Sequence, residues 1–130
     1  MKSEKAIQAE TLIAVTALPG IMAWRENSGF AWVGEEVRAA TGASIRLEPG
    51  MKILRNARPL RAGVPGIADI MGVAKGKAFA LECKVATGAQ EVSQRRFERA
   101  FVAKGGLYTV VKDPDEAVRF LTASIMGGRL

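Results

Sequence analysis

The sequence predicts an α/β fold in which helices flank a central mixed β-sheet, formed by a single domain over residues 1–130. Three observations predict it. With 130 residues, 48% of them hydrophobic and 25% charged, the chain has the composition of one globular domain. Apolar residues recur at helical spacing in three segments and form strand-like runs between them. These segments follow one another in the order α-β-(irregular)-β-β-α-β-α, without an internal repeat.

The first helix is predicted over residues 3–18, with Ser3 placed to cap its start, and a short strand follows at residues 21–25. At about 100° per residue, Glu4 falls near the middle of the apolar stripe of this helix, whereas Glu10 lies well to its side. A carboxylate at the end of a buried stripe either extends past the helix end or points into a site. The helix therefore offers one candidate site residue, Glu4.

Two consecutive apolar segments, residues 66–73 and 77–85, are predicted to form a β-hairpin. The first segment places Asp69 among aliphatic residues. In the second segment, strand alternation puts Glu82 and Lys84 on one face and the apolar side chains on the other. Two carboxylates and a lysine then converge at mid-sheet, where charge is costly unless a cation compensates it.

This convergence suits metal-assisted hydrolysis of a phosphodiester. The carboxylates of Asp69 and Glu82, with the backbone carbonyl of Cys83, suit a Mg²⁺ ion that keeps several waters, and Mn²⁺ is expected to substitute. Lys84 would orient or deprotonate the attacking water. A structural alternative stays open, in which Glu82 and Lys84 form a half-exposed ion pair and Asp69 ends a turn.

Residues 30–62 are predicted to be an irregular basic insertion. Phe30, Trp32 and Val33 resemble a partly exposed strand, and residues 43–54 are expected to form a second hairpin around a turn at Glu48-Pro49-Gly50. Between Pro49 and Gly66 the chain has no acid and four basic residues, which we expect to contact phosphates: Lys52, Arg55, Arg58 and Arg61. The alternative is a solvated loop with scattered charge.

The C-terminal part is predicted to contain a helix at residues 91–104, a strand at 107–111 and a last helix capped by Asp113. On the first of these helices Gln94 shares a face with two phenylalanines, so this amide should face the sheet and find a polar partner there. The opposite face carries three further basic residues that we expect to contact DNA: Arg95, Arg96 and Arg99.

Composition narrows the chemistry further. The chain has no histidine, which excludes histidine general bases and His-metal nucleases, and its one cysteine excludes an internal disulfide or a zinc-ligand cluster. A formal charge of +6 favours a polyanionic partner. No apolar run approaches a membrane span and the N-terminal region is too polar for a signal peptide, so we expect a cytoplasmic protein without membrane association.

Taken together in this order, the motifs resemble those of the VRR-NUC (virus-type replication-repair nuclease) family of PD-(D/E)XK nucleases, in its stand-alone phage or bacterial form. The resemblance covers nearly the whole chain and rests on seven pieces: Glu4-x-x-Ile7-Gln8, Arg25-x-Asn27-Ser28-Gly29, Gly63-x-Pro65-Gly66-Ile67-x-Asp69, Glu82-x-Lys84, Gly88, Gln94 and Gly105-Gly106-x-Tyr108. The chain departs from the family at Glu91, where relatives often have a serine.

The resemblance implies that Asp69 and Glu82 are metal ligands, that Lys84 is the catalytic lysine, and that Glu4 and Gln94 complete the site. The spacing in related junction-cutting enzymes would fit Glu10 instead of Glu4, whereas the helical face and the Ile7-Gln8 context favour Glu4. We expect further DNA contacts from the motif after the first strand: Arg25, Asn27 and Ser28.

The implied function is that of a Mg²⁺-dependent, structure-selective DNA endonuclease, similar to Holliday-junction resolvases, acting on branched DNA in replication, recombination or repair. Its working unit would be a homodimer, since a two-fold dimer matches the symmetry of a four-way junction. Three alternatives stay open: a 5′ flap nuclease, a non-catalytic DNA-binding module with a nuclease-like fold, and a carboxylate-metal enzyme acting on nucleotides or small phosphates.

Overall fold

The computed structural model of the chain describes residues 1–26, 30–38, 44, 46–61 and 63–125. Within these residues three helices and six strands form a mixed α/β structure, which confirms the predicted fold class. The same part of the chain contains no helix with the length and apolar character needed to cross a membrane. The elements are α1 (Glu4–Thr16), β1 (Ile21–Arg25), β2 (Phe30–Val37), β3 (Ile53–Arg61), β4 (Ile70–Ala74), β5 (Lys77–Cys83), α2 (Val92–Ala103), β6 (Leu107–Val111) and α3 (Pro114–Ile125).

The chain divides into two compact units. The first comprises Met1–Asn27 and Val64–Leu130 and holds the three helices with a four-stranded sheet. The second is Ser28–Gly63 and holds a two-stranded sheet. The limits of the second unit lie within two residues of those predicted for the insertion at 30–62.

The four-stranded sheet of the first unit has the order β1-β4-β5-β6, antiparallel except for the parallel pair β5 and β6. Its central hairpin is the predicted one. Lys75 and Gly76 connect β4 to β5, and both have a positive φ, of 49° and 83°. Two such residues match the right-handed twist of the flanking strands, so this connection fixes the register between them.

The two faces of this sheet are covered by different helices. On one face, side chains of α1 and α3 pack with the apolar residues of β5, among them Phe79, Leu81 and Cys83. On the other face α2 places Phe97 and Phe101 against a smaller cluster that contains Ala80 and Tyr108. The alternation predicted for β5 is therefore confirmed, and Glu82 lies on the face covered by α2.

The helix starts follow the predicted capping residues. Ser3 Oγ accepts a hydrogen bond from the backbone N–H of Ala6 at 3.1 Å, and Asp113 Oδ1 accepts one from the N–H of Glu116 at 2.9 Å. Such caps satisfy backbone donors that have no partner within the helix. Each observed helix begins within one residue of its predicted start.

The second unit corrects two predictions. Residues 30–37 and 53–61 pair as antiparallel strands, so the stretch predicted to be irregular contains a sheet. The hairpin expected at 43–54 is wrong, because the described residues between 44 and 52 form no strand. A turn does form there, with Met51 N–H donating to Glu48 O at 3.0 Å. This turn lies in the connection between β2 and β3. These two strands pair over more residues than the short segments on either side of the turn could.

Candidate active site

The two predicted carboxylates lie next to each other on the α2 side of the sheet. Asp69 immediately precedes β4, one residue outside the strand on which it was predicted, and Glu82 lies near the end of β5. Ile70 pairs with Leu81, so the register brings position 69 beside position 82. Asp69 Oδ2 accepts a hydrogen bond from the Cys83 backbone N–H at 2.8 Å, which fixes this carboxylate against β5.

Glu82 is almost completely buried, with 1% of its surface exposed. Its Oε1 accepts a hydrogen bond from Gln94 Nε2 at 2.9 Å, whereas its buried Oε2 has no hydrogen-bond donor, and only the protonated Glu82 carboxyl can share a hydrogen bond with Asp69. Removal from water, followed by the negative charge of nearby Asp69, raises the pKa of Glu82 from 4.5 to about 8, although Lys84 acts to lower it. A carboxylate in this position is stabilised in its charged form by an added cation.

Lys84 brings a positive charge to the same site. Its Nζ lies 3.8 Å from Glu82 Oε1 and 3.9 Å from Glu4 Oε1, and only 8% of the residue is exposed. A buried ammonium must keep such partners, because leaving it unpaired in the protein interior is costly. The half-exposed ion pair considered as a structural alternative does not describe this lysine, which is buried and shared between two carboxylates.

The structure distinguishes the two glutamates of α1. Glu4, at the first residue of the helix, reaches Lys84, whereas Glu10 forms an ion pair with Lys2, with Nζ to carboxylate oxygen distances of 2.7 and 3.0 Å. The helical register that favours Glu4 is therefore the observed one. Glu10 lies outside the carboxylate cluster, which makes it a natural control for Glu4.

Substituting these two glutamates should have unequal effects. Glu4→Gln removes a charge that holds Lys84, so we expect it to lower the rate of DNA cleavage by about tenfold or more, or to weaken metal affinity to a similar degree. Glu10→Gln removes only an exposed ion pair, worth about 0–1 kcal/mol, and should leave the rate unchanged. Single-turnover kinetics of the two purified variants test this, and an equal loss in both would contradict the assignment.

Gln94 links the start of α2 to the carboxylate site. Its Oε1 accepts a hydrogen bond from the backbone N–H of Glu91 at 2.8 Å, and its Nε2 donates to Glu82. Because a backbone N–H can only donate, this contact fixes the orientation of the amide and directs its NH₂ group at Glu82. The predicted need of Gln94 for a polar partner is thus met. Glu91, the departure from the family pattern, still precedes the helix as its N-cap residue.

Gly66 lies at a close backbone contact beside the candidate site, and from the sequence it was identified only as part of a motif. Its φ is 74°, and a Cβ at this position would overlap the carbonyl of Ser93 and approach the backbone N of Gln94. The loop leading to Asp69 therefore packs directly on the first turn of α2. The Pro65-Gly66 pair was the available signal, since it marks a turn that favours glycine.

A second polar cluster, on the side of the sheet covered by α2, was not predicted from the sequence. Gln90 Nε2 donates to Glu98 Oε1 at 3.0 Å and to the Tyr108 hydroxyl at 3.1 Å. Burial raises the pKa of Tyr108 to about 12, so the hydroxyl stays protonated. The cluster joins the loop before α2 to β6 and thereby supports the helix that carries Gln94.

The residues present suit Mg²⁺ better than a metal held by many side chains. In the described part of the chain, no group of three or more His, Cys, Asp or Glu side chains is arranged to hold a metal ion. Mg²⁺ usually binds through one or two carboxylates and keeps its other waters. Asp69 and the unpartnered Oε2 of Glu82 match that requirement. The Cys83 thiol is buried on the opposite face and its pKa is raised to about 12, so only the backbone of this residue is suited to the role predicted for it.

The raised pKa of Glu82 predicts how stability depends on pH. Between 4.5, the ordinary value, and about 8, the folded protein binds a proton at Glu82 that the unfolded chain releases. In EDTA this residue's contribution to the free energy of unfolding should therefore be complete below pH 4.5 and decline as pH rises toward 8. Urea unfolding at several pH values should show this decline in the wild type and a weaker one in Glu82→Gln. Identical pH profiles would contradict the shift.

The residues predicted to contact DNA lie in both units. Arg25 ends β1 and is exposed, and the three arginines of α2 are exposed on the side away from the sheet, where Arg95 Nη1 donates to Gln90 O at 3.1 Å. Arg55, Arg58 and Arg61 lie in β3, with Lys52 just before it. Asn27 and Ser28 lie outside the described residues.

A scan of the sequence against protein-family models found no match, and a search of curated proteins found none either. The resemblance to VRR-NUC nucleases therefore stays a prediction that rests on the motifs and on the chemistry of the site.

Proposed function

We propose that this protein is a Mg²⁺-dependent, structure-selective DNA endonuclease that hydrolyses phosphodiester bonds in branched DNA. One observation carries the proposal: Glu82 is buried with an unpartnered oxygen, directly beside Asp69 and within 3.8 Å of the Lys84 ammonium. Two carboxylates placed so that they repel each other are costly without a cation. A lysine at the same point supplies the positive charge that a reacting phosphate needs.

The residues have distinct roles in this proposal. When bound, Mg²⁺ supplies a water of lowered pKa and positive charge beside the scissile phosphate. Asp69 and Glu82 hold the ion, and the hydrogen bond from Gln94 to Glu82 Oε1 leaves Oε2 for it. Lys84 orients the attacking water and stabilises the negative charge that develops on the phosphate. Glu4 holds the Lys84 side chain in place.

The composition supports a nucleic-acid substrate. The formal charge of +6 favours a polyanion, and the absence of histidine leaves carboxylates, lysine and a metal as the means of hydrolysis. A small phosphate ester would not require the exposed arginines of α2. The resemblance to junction-cutting nucleases favours branched over continuous duplex DNA.

The substrate is tested by cleavage of a labelled panel containing a four-way junction, a 5′ flap, a nicked duplex and a continuous duplex, each in Mg²⁺, Mn²⁺ or EDTA. The proposal predicts cleavage in either metal, none in EDTA, and the highest rate on the junction. Preference for the flap would replace the resolvase assignment with a flap nuclease. Binding without cleavage in either metal would instead indicate a non-catalytic DNA-binding module.

We further propose that the working unit is a homodimer, since a single site cuts one strand at a time and a four-way junction presents two related strands. Trp32 in β2 is 59% exposed and offers an apolar contact. Light scattering on a sizing column should give about twice the 13.9 kDa chain mass, and Trp32→Glu should shift it toward the monomer. A wild type that runs as a monomer and still cuts the junction would contradict the dimer.

A further inference from the structure

We propose that the second unit, Ser28–Gly63, binds the phosphate backbone of DNA through one face of its two-stranded sheet, the face that carries Arg55 and Arg58. The inference rests on the proposed function in taking DNA as the ligand, but it requires no cleavage. We call this surface the arginine face. In the register of the two strands it comprises Ala31, Val33, Glu35 and Val37 of β2 with Ile53, Arg55, Arg58 and Leu60 of β3.

Positive charge is concentrated in this unit. Residues 28–63 contain six basic and three acidic residues, a formal charge of +3, so half of the chain's formal +6 lies in 36 of its 130 residues. Every residue of β3 from Arg55 to Arg61 is exposed. A two-stranded sheet has little stability by itself in water, and a narrow exposed ribbon of this kind is a shape that fits the DNA major groove.

A bulge in the sheet determines which arginines act together. Residues three apart on a regular strand point to opposite faces, so Arg55 and Arg58 would be separated. Here Arg58 lies opposite Val33, and Arg55 lies opposite Glu35. Val33 and Glu35 are only two residues apart on β2, so their side chains share one face. The pairing therefore returns both arginines to the same face, about 7 Å apart along the strand. That separation is similar to the spacing of successive phosphates on one DNA strand.

The local sequence builds this bulge. Asn56 and Ala57 share the space opposite Gly34, and Asn56 has a φ of 53°, in the left-handed region that asparagine tolerates better than most residues. A Cβ on Gly34 would lie 2.8 Å from the Arg55 carbonyl oxygen. The glycine thus permits the close approach of the two strands at the point where the register shifts.

The opposite face of the ribbon has a different character. Trp32 pairs with Pro59 there, and Glu36 pairs with Leu54. Arg61 also lies on this side, since it pairs with Phe30. The four basic residues predicted to act as one group are therefore divided: Arg55 and Arg58 lie on the arginine face and Arg61 on the other, while Lys52 precedes the strand.

Two adjacent glutamates provide a matched test. Glu35 lies on the arginine face opposite Arg55, with no ion pair between these two described residues, and Glu36 lies on the opposite face. Both are exposed, so Glu35→Gln and Glu36→Gln make the same change in net charge without disturbing a core. Only Glu35 should repel phosphates bound by Arg55 and Arg58.

Binding of each full-length variant to a labelled DNA duplex is measured by fluorescence anisotropy in EDTA over a range of salt concentrations. At low salt Glu35→Gln should tighten binding about threefold, as expected for one charge at roughly 7 Å in water. Glu36→Gln should change it by no more than about 1.5-fold, because its charge is farther away and screened. Equal effects of the two variants would overturn the proposal.

A second pair of variants separates position from charge. Arg58→Ala should lower the slope of log K against log salt by about 0.9, the value for one phosphate contact. Exchanging neighbours, Ala57→Arg with Arg58→Ala, keeps the net charge but moves the guanidinium to the other face, and should lower the slope equally. A wild-type slope for the exchanged variant would overturn the proposal. Because cleavage plays no part in these measurements, an inactive carboxylate site would not affect their result. Conversely, if the arginine face does not bind DNA, the nuclease proposal is unaffected.

Discussion

Replacing either carboxylate, by Asp69→Asn or Glu82→Gln, is expected to lower the rate of Mg²⁺-dependent DNA cleavage by several orders of magnitude. Each substitution removes a negative ligand from a site that otherwise offers two side-chain carboxylates to the ion. It also leaves the exposed arginines untouched, so DNA affinity in EDTA should stay within a few-fold of the wild type. Single-turnover cleavage of a labelled four-way junction measures the loss.

The melting temperature provides the control for this prediction. In EDTA at about pH 9, above the pKa of about 8 that Glu82 has without metal, Asp69→Asn and Glu82→Gln should melt at or above the temperature of the wild type, because each relieves the repulsion between charged Glu82 and the neighbouring Asp69. An inactive variant that melts as high as the wild type has lost chemistry and not its fold. Cleavage at the wild-type rate in either variant would contradict the assignment of the metal ligands.

Lys84→Ala is expected to lower the cleavage rate by about 10²–10⁴ while Mg²⁺ is still bound. The Lys84 ammonium is held between Glu82 and Glu4, at 3.8 and 3.9 Å, in a nearly closed space. Lys84→Arg should not restore the rate, since a planar guanidinium cannot occupy the position of a compact ammonium. The comparison of alanine and arginine variants separates the geometry of the group from its charge.

The pH dependence of cleavage tests this role further. Removing Lys84 leaves Glu82 without its nearest cation, so the pKa of Glu82 should rise further and the acid limb of the pH–rate profile should move to higher pH. Full activity of Lys84→Arg would show that the lysine serves charge balance alone and would overturn its assignment to the reacting phosphate.

The hairpin that carries the site could be predicted because its signals are local. Alternation along β5 placed Glu82 and Lys84 away from Phe79 and Leu81, and the tight turn at Lys75-Gly76 joined neighbouring segments. The spacing of apolar residues on α2 likewise predicted that Gln94 faces the sheet. In each case residues close in sequence determine the geometry, so little tertiary information is needed.

The rest depended on contacts between distant segments. The sequence suggested a hairpin around Glu48-Pro49-Gly50, but β2 pairs with β3 across the whole intervening stretch, and the bulge opposite Gly34 follows from that register. Which glutamate of α1 lies near Lys84 is also seen only in the folded chain, where Glu4 approaches Lys84 and Glu10 pairs with Lys2. The deep burial of the Glu82 side chain, which raises the pKa of its carboxyl group, results from the packing of α2 over the sheet.

The central claim, that Asp69 and Glu82 hold a catalytic cation, is tested most directly by cleavage of a four-way junction from about pH 6 to about pH 9 at several Mg²⁺ concentrations. Protons and Mg²⁺ compete for Glu82, whose pKa without metal is about 8. We expect no cleavage in EDTA and an acid limb that moves to lower pH as the Mg²⁺ concentration is raised. Absence of cleavage in both Mg²⁺ and Mn²⁺, or an acid limb that does not respond to Mg²⁺, would contradict the claim.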